Sequence, residues 1–193
     1  MNSEMAYLIG ALRDGYLDKK QYLISIGQMD RAWLEYLQKL VKENFGVNSK
    51  IRALNNNAFE LRIFSKKLFT EISEMGVVDS RTMPTAILQT KELWNPYVNG
   101  FFDAEGHCTS QATFRKTGKK KISFHQNDKA SLEFIKYVLE EYGIKTSAIY
   151  LQKNRKCYAL YVQNKDGIRK FAATFSPVRK KEQLNNLLLV LPP

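Results

Sequence analysis

Two stretches of the chain place an acidic residue directly before a glycine at the end of an apolar run. The first is Ala6-Tyr-Leu-Ile-Gly-Ala-Leu-Arg-Asp14-Gly15 and the second is Tyr97-Val-Asn-Gly-Phe-Phe-Asp-Ala-Glu105-Gly106. Each apolar run predicts a helix with its acid in the last turn and a glycine able to cap it. A helix C-terminus carries partial negative charge and attracts cations. Two carboxylates brought together in that field repel each other unless a cation bridges them. Mg²⁺ fits, because it takes hard oxygen ligands and needs few from the protein when water and phosphate supply the rest. Small residues at Ala6 and Gly10, and at Gly100 and Ala104, allow two such helices to cross closely.

The elements around these acids repeat. After each acid comes a strand-like run, Gln21–Gly27 and Lys121–His125, then a glutamine and an amphipathic helix. At a constant offset of 98, Gln28/Gln126, Asp30/Asp128, Ala32/Ala130, Leu34/Leu132 and Glu35/Glu133 are identical. Asp30 and Asp128 are N-cap residue types. Leu34, Leu37, Leu40 and Val41, and in the other copy Leu132, Ile135, Val138 and Leu139, follow helical spacing. Gly46 and Gly143 suit the left-handed position that ends a helix. Two further strands follow in each copy, Lys50–Leu54 with Phe59–Phe64 and Thr146–Leu151 with Cys157–Val162, joined by turns at Asn55-Asn56-Asn57 and Lys153–Lys156. Short helices near Lys66–Glu74 and Asp166–Phe175 close the copies. This divides the chain into a first copy over 1–75, a linker over 76–95 with a helix starting at Pro84, and a second copy over 96–193. Asn95-Pro96 reads as the N-cap and first-turn pair of the second acid-Gly helix.

Composition narrows the partner. Lys and Arg number 30 against 19 Asp and Glu, a net charge of +11, which points to a polyanion. No apolar run approaches the roughly 20 residues of a spanning helix, so nucleic acid is favoured over a membrane. Only Cys108 and Cys157 are present, without a CxxC, which implies neither a disulfide framework nor a cysteine zinc site. A reduced intracellular compartment follows, cytoplasmic in a prokaryote, with an organelle left open. His107 and His125 form no nucleophile or zinc constellation, and Trp33, Tyr36 and Phe45 read as packing residues.

Gly100-Phe-Phe-Asp-Ala-Glu-Gly106 and the duplicated order of elements resemble a single-chain, two-repeat LAGLIDADG homing endonuclease, over about Ala6 to Leu191. The resemblance implies an α+β fold in which an αββαββα unit is repeated about a pseudo-twofold, with two antiparallel sheets forming a DNA-binding saddle. It also implies a monomer that cuts a long asymmetric duplex target, each acid serving one strand and leaving 3′ overhangs, with Mg²⁺ or another divalent cation such as Mn²⁺. The catalytic set implied is Asp14 and Glu105 as metal ligands, Gln28 and Gln126 beside the scissile phosphates, and a basic residue at Lys180 or Lys181, with Lys181 taken and Arg81 a weaker counterpart. DNA contacts fall to Lys50, Arg52, Arg62, Lys121 and Ser123 on the polar faces of strands, and to Arg115, Lys116, Lys119, Lys120, Arg155 and Lys156 near turns. The first motif departs from the family pattern. Gly100 and Glu105 are five apart but Gly10 and Asp14 only four, about 100° of helix rotation, which a tighter last turn would correct. Two other functions fit the same residues: an RNA-binding maturase acting on intron RNA, and a DNA-binding regulator that does not cut.

Overall fold

The computed structural model describes the chain except residues 1, 78, 80–83, 153–155 and 192–193 and the side chains of Asp14 and Thr85. The chain divides into two compact units, Met1–Ala104 and Glu105–Pro193. The first opens with α1 (Ser3–Ala11), whose N-cap Asn2 accepts the Met5 amide at 3.0 Å. Met5 to Ala11 are all buried, so α1 has no solvated stripe and runs through the interior of its unit. The backbone then tightens into a 3₁₀ turn at Leu12–Asp14 and passes into β1 (Gly15–Asp18) and β2 (Leu23–Gln28). Next come α2 (Arg31–Phe45), β3 (Ser49–Ala53), β4 (Phe59–Phe64), α3 (Lys66–Glu74), α4 (Thr85–Leu88), a 3₁₀ turn at Lys91–Leu93 and α5 (Trp94–Glu105).

Strands β1 to β4 form an antiparallel sheet in the order β1-β2-β4-β3. Ile24 pairs with Ile63 and Ile26 with Leu61, and all four are fully buried on the face covered by α2 and α3. Each such side chain stabilises the fold by about 1.5–3 kcal/mol relative to exposure. Helix α2 turns Trp33, Leu34, Leu37, Leu40 and Val41 inward, a 3.6-residue stripe matched to that face. Asp30 caps it by accepting the Trp33 amide at 3.1 Å, and Gly46 ends it in the left-handed region at φ 66°.

The second unit repeats the order from the first strand to the helix after the fourth, with helix α6 inserted between its first two strands and α9 added at the end: β5 (Gly106–Cys108), α6 (Gln111–Thr117), β6 (Ile122–Gln126), α7 (Lys129–Glu141), β7 (Tyr150–Gln152), β8 (Cys157–Val162), α8 (Lys165–Thr174) and α9 (Lys181–Leu189). Its strands pair antiparallel as β5-β6-β8-β7. Asp128 caps α7 through the Ala130 and Ser131 amides, and α7 packs on β6 and β8. The α+β fold with two four-stranded antiparallel sheets is therefore the architecture observed.

Some expected boundaries are corrected. Gly15 caps the 3₁₀ turn through its amide on the Leu12 carbonyl, but with extended φ and ψ of −123° and −174° and not in the left-handed region, and both Gly15 and Gly106 begin a strand. Asn95 is not an N-cap, because α5 continues directly from the 3₁₀ turn and already includes Trp94; the Asn95 side chain instead accepts from Asn99 at 2.8 Å. The strand expected over 146–151 is regular only from Tyr150. Upstream, the Ser147 hydroxyl takes the Tyr161 amide at 3.0 Å, a side chain displacing a ladder carbonyl. The two short strands that follow the acids, and helix α6, were not resolved by sequence periodicity.

Candidate active site and nucleic-acid face

Helices α1 and α5 meet through their glycines. A methyl group on Gly10 would lie 2.2 Å from the Tyr97 carbonyl oxygen and 2.7 Å from the Phe101 nitrogen. One on Gly100 would lie 2.0 Å from the Tyr7 carbonyl oxygen and 2.9 Å from the Ala11 nitrogen. The contacts are reciprocal at an offset of 90, so Gly10 and Gly100 occupy equivalent places. Only glycine permits backbones to approach this closely.

That equivalence accounts for the short first motif. A 3₁₀ residue rises about 2.0 Å against about 1.5 Å in an α-helix. The tightened turn at Leu12–Asp14 therefore carries the backbone from Gly10 to Asp14 about 7.5 Å, matching the five α-helical steps from Gly100 to Glu105. It also recovers roughly 60° of the rotation that one missing residue removes.

Around the crossing lies a polar network that periodicity did not single out. Asp103, fully buried in α5, accepts a hydrogen bond from the Tyr7 hydroxyl at 2.6 Å, and the Trp33 indole donates to that hydroxyl at 3.0 Å. Burial, and then the Asp103 charge, push the Tyr7 phenol far above its ordinary range. At the equivalent place in α1, buried Arg13 donates to the Tyr97 hydroxyl at 2.7 Å, its guanidinium 5.6 Å from the centre of the Phe101 ring. Tyr7 and Tyr97 are thus matched partners of opposite charges, a pattern visible in sequence only once the offset of 90 is known.

Glu105 ends α5 and is half-buried. The Asp14 backbone closes the 3₁₀ turn, and its side chain lies outside the described atoms. Gln28 and Gln126 both end the second strand of their sheets, and each side-chain carbonyl accepts the amide of the following residue, at 3.0 and 2.8 Å. Of the two lysines before the last helix, Lys180 is buried at 5% exposure and its ammonium donates to the Gly106 carbonyl, one residue beyond Glu105. Lys181 is exposed at the first turn of α9. Burial pushes the neighbouring Cys108 thiol up to about 12, with the Lys180 charge acting the other way.

The polar face of the first sheet brings Arg52 and Arg62 together around Glu60, with Lys50 exposed beside them. Glu60 accepts from the Ser25 hydroxyl at 2.6 Å and from Arg52 Nε, while Arg62 Nε stands 3.9 Å from the same carboxylate. Burial alone would raise the Glu60 carboxyl; the Ser25 hydroxyl and the two guanidinium groups outweigh it and hold the group below its usual range. In the second sheet Ser123 is buried beneath the face, and Lys121 lies 3.9 Å from the centre of the Tyr161 ring. Tyr161 also receives a hydrogen bond from Gln152 at 2.6 Å and an edge contact from His125. Arg115, Lys116 and Lys119 are exposed on and just after α6. Arg155 and Arg81 lie outside the described residues.

A family model, the LAGLIDADG-like domain, matches residues 4–75 and 95–175. The homing endonuclease I-ApeI of Aeropyrum pernix is 27% identical over 94% of this chain and 86% of its own length. A structure of I-DmoI in complex with DNA and Ca aligns with a TM-score of 0.68 at 23% identity, over 90% of this chain and 88% of that one. The N-terminal LAGLIDADG domain of DUF199/WhiA aligns with a TM-score of 0.65 at 15% identity, over 93% of this chain and 86% of that one. With both helix-acid-Gly copies inside the matched segments, the chain belongs to the LAGLIDADG-like domain family.

Proposed function

We propose that this protein is a site-specific endonuclease that hydrolyses both strands of a long, asymmetric DNA duplex, leaving staggered ends, with Asp14 and Glu105 as the carboxylates of a divalent-metal site. The observation that carries the reading is the reciprocal glycine crossing of α1 and α5, each followed by a motif acid, in a chain of net charge +11. In this reading the copies span 1–75 and 96–193, joined by 76–95, and a single chain suffices.

Two carboxylates are the whole of the proposed protein donor set, and such a set suits Mg²⁺ or Mn²⁺, completed by water and phosphate oxygens. The relative I-DmoI has been solved with DNA and Ca and with DNA and Mn, which supports a divalent ion. When bound, such an ion supplies a more acidic water and neutralises charge on the phosphate. Glu105 sits where the α5 dipole favours a cation. Lys180 rather than Lys181 is the basic group we assign: its ammonium is fixed at the Gly106 carbonyl, where it can steady charge developing on a phosphate oxygen. Gln28 and Gln126 each end a strand with the amide held in place, suited to orienting a water.

The test is selection of cleaved sequences from a random duplex library. Recovery of a defined cut site with Mg²⁺ or Mn²⁺, abolished by EDTA, is expected. Absence of cutting with either ion, or tighter binding of an intron transcript than of any duplex, overturns the reading.

A further inference from the structure

The polar faces of the two sheets occupy matching registers but carry different chemistry. Arg52 lies opposite Glu60 and Ser25 opposite Arg62; at the corresponding places Tyr150 lies opposite Ala159 and Ser123 opposite Tyr161. The first face is therefore built on a carboxylate between two guanidinium groups, the second on aromatic rings around an alanine.

Glu60 restrains both arginines. Its side chain is 11% exposed, anchored from beneath by the Ser25 hydroxyl, and it engages Arg52 through Nε, the nitrogen nearest the stem. Among the described residues the two terminal nitrogens of Arg52 have no protein partner, and its side chain is 55% exposed. Arg62 is held between the same carboxylate and the Phe64 ring, 4.8 Å from its guanidinium carbon, and its buried Nε makes no hydrogen bond. Without the carboxylate the two positive groups would repel, and each long stem would lose its rotamer freedom only on docking.

We infer that Glu60 is a positioning residue for base recognition, fixing Arg52 and Arg62 as forks for the O6 and N7 acceptors of guanine in the major groove. The guanine preference that depends on Glu60 then falls in the half of the target read by the first sheet, since the strands of the second sheet carry no arginine. The inference rests on the endonuclease reading above. An arginine fork matches the paired acceptors of guanine, whereas the exposed Tyr150 ring of the second sheet suits the methyl group of thymine. A-form RNA would not serve, since its major groove is too narrow for side chains.

The test uses the full chain in EDTA, where binding is read without cutting, and selects bound duplexes from a random library with wild type, Glu60→Gln, Glu60→Asp and Arg62→Lys. Wild type is expected to enrich guanine at positions that respond to Glu60, all of them in one half of its site. Glu60→Gln lowers that enrichment about tenfold, the size of one lost bidentate pair, and leaves other positions unchanged. Glu60→Asp restores part of it, and Arg62→Lys removes it at one position while keeping the charge. Urea midpoints show which variants are folded; should Glu60→Gln be unfolded, Arg62→Lys decides. Guanine enrichment that survives in a folded Glu60→Gln, or a loss spread evenly over all positions, overturns the inference alone. A library with no enriched duplex overturns it together with the DNA reading.

Discussion

Replacing Gly100 with alanine would put a methyl group 2.0 Å from the Tyr7 carbonyl oxygen and 2.9 Å from the Ala11 nitrogen, where ordinary contact begins at 3.4 Å. The obstacle is helix backbone, so no side chain can swing aside, and α1 must retreat by more than an ångström. That helix is buried from Met5 to Ala11, and its retreat loosens packing along its whole length. Overpacking costs about 1–3 kcal/mol and sometimes more, while alanine recovers only about 0.5–1 kcal/mol of helix propensity. A rigid obstacle places Gly100→Ala near the upper end, about 3 kcal/mol, which lowers the melting temperature of a chain this size by roughly 6–12 °C. Gly27→Ala is the matched control, since nothing lies within 4 Å of its added methyl. Thermal unfolding followed by far-ultraviolet circular dichroism reads both. A Gly100→Ala protein that melts with wild type would refute the argument from close approach.

Tyr7→Phe removes the hydroxyl that accepts from Trp33 and donates to buried Asp103, and should cost about 1–3 kcal/mol in urea unfolding; an unchanged midpoint would show the network is dispensable. Because burial holds the Cys108 thiol at about 12, Cys108 should resist a thiol reagent at neutral pH until the chain unfolds; two thiols reacting together in the native protein would contradict this. The Glu60 carboxyl is held below its ordinary value of 4.5, so its ion network contributes full stability above that value and loses it as pH falls through the lower folded one. The stability difference between wild type and Glu60→Gln should accordingly stay constant from neutral to mildly acidic pH and shrink only in acid.

Much of this architecture was legible because local signals agree with tertiary needs. The Asp30 and Asp128 caps, the left-handed Gly46 and Gly143, and the α2 and α7 stripes all follow from rules confined to a few residues. The short strands Gly15–Asp18 and Gly106–Cys108 were hidden, since four and three residues carry too little periodicity and exist through pairing with β2 and β6. The two candidate acids stand out in sequence by their repeated position beside glycine. Asp103 and Arg13 could not, because their meaning depends on which tyrosine the opposite helix presents. Lys180 and Lys181 are neighbours of the same type in sequence, and only the fold buries one and exposes the other. Glu60 lay in plain view on an alternating strand, yet its partners come from β2 and β3.

The most direct test of the account is strand-by-strand cutting of a selected duplex target with Mg²⁺ by wild type, Glu105→Gln and Asp14→Asn, with duplex binding measured alongside. The account predicts that wild type cuts both strands, each single variant nicks at most one, and all three bind the duplex within a few-fold of one another. Undiminished cutting of both strands by Glu105→Gln would contradict it.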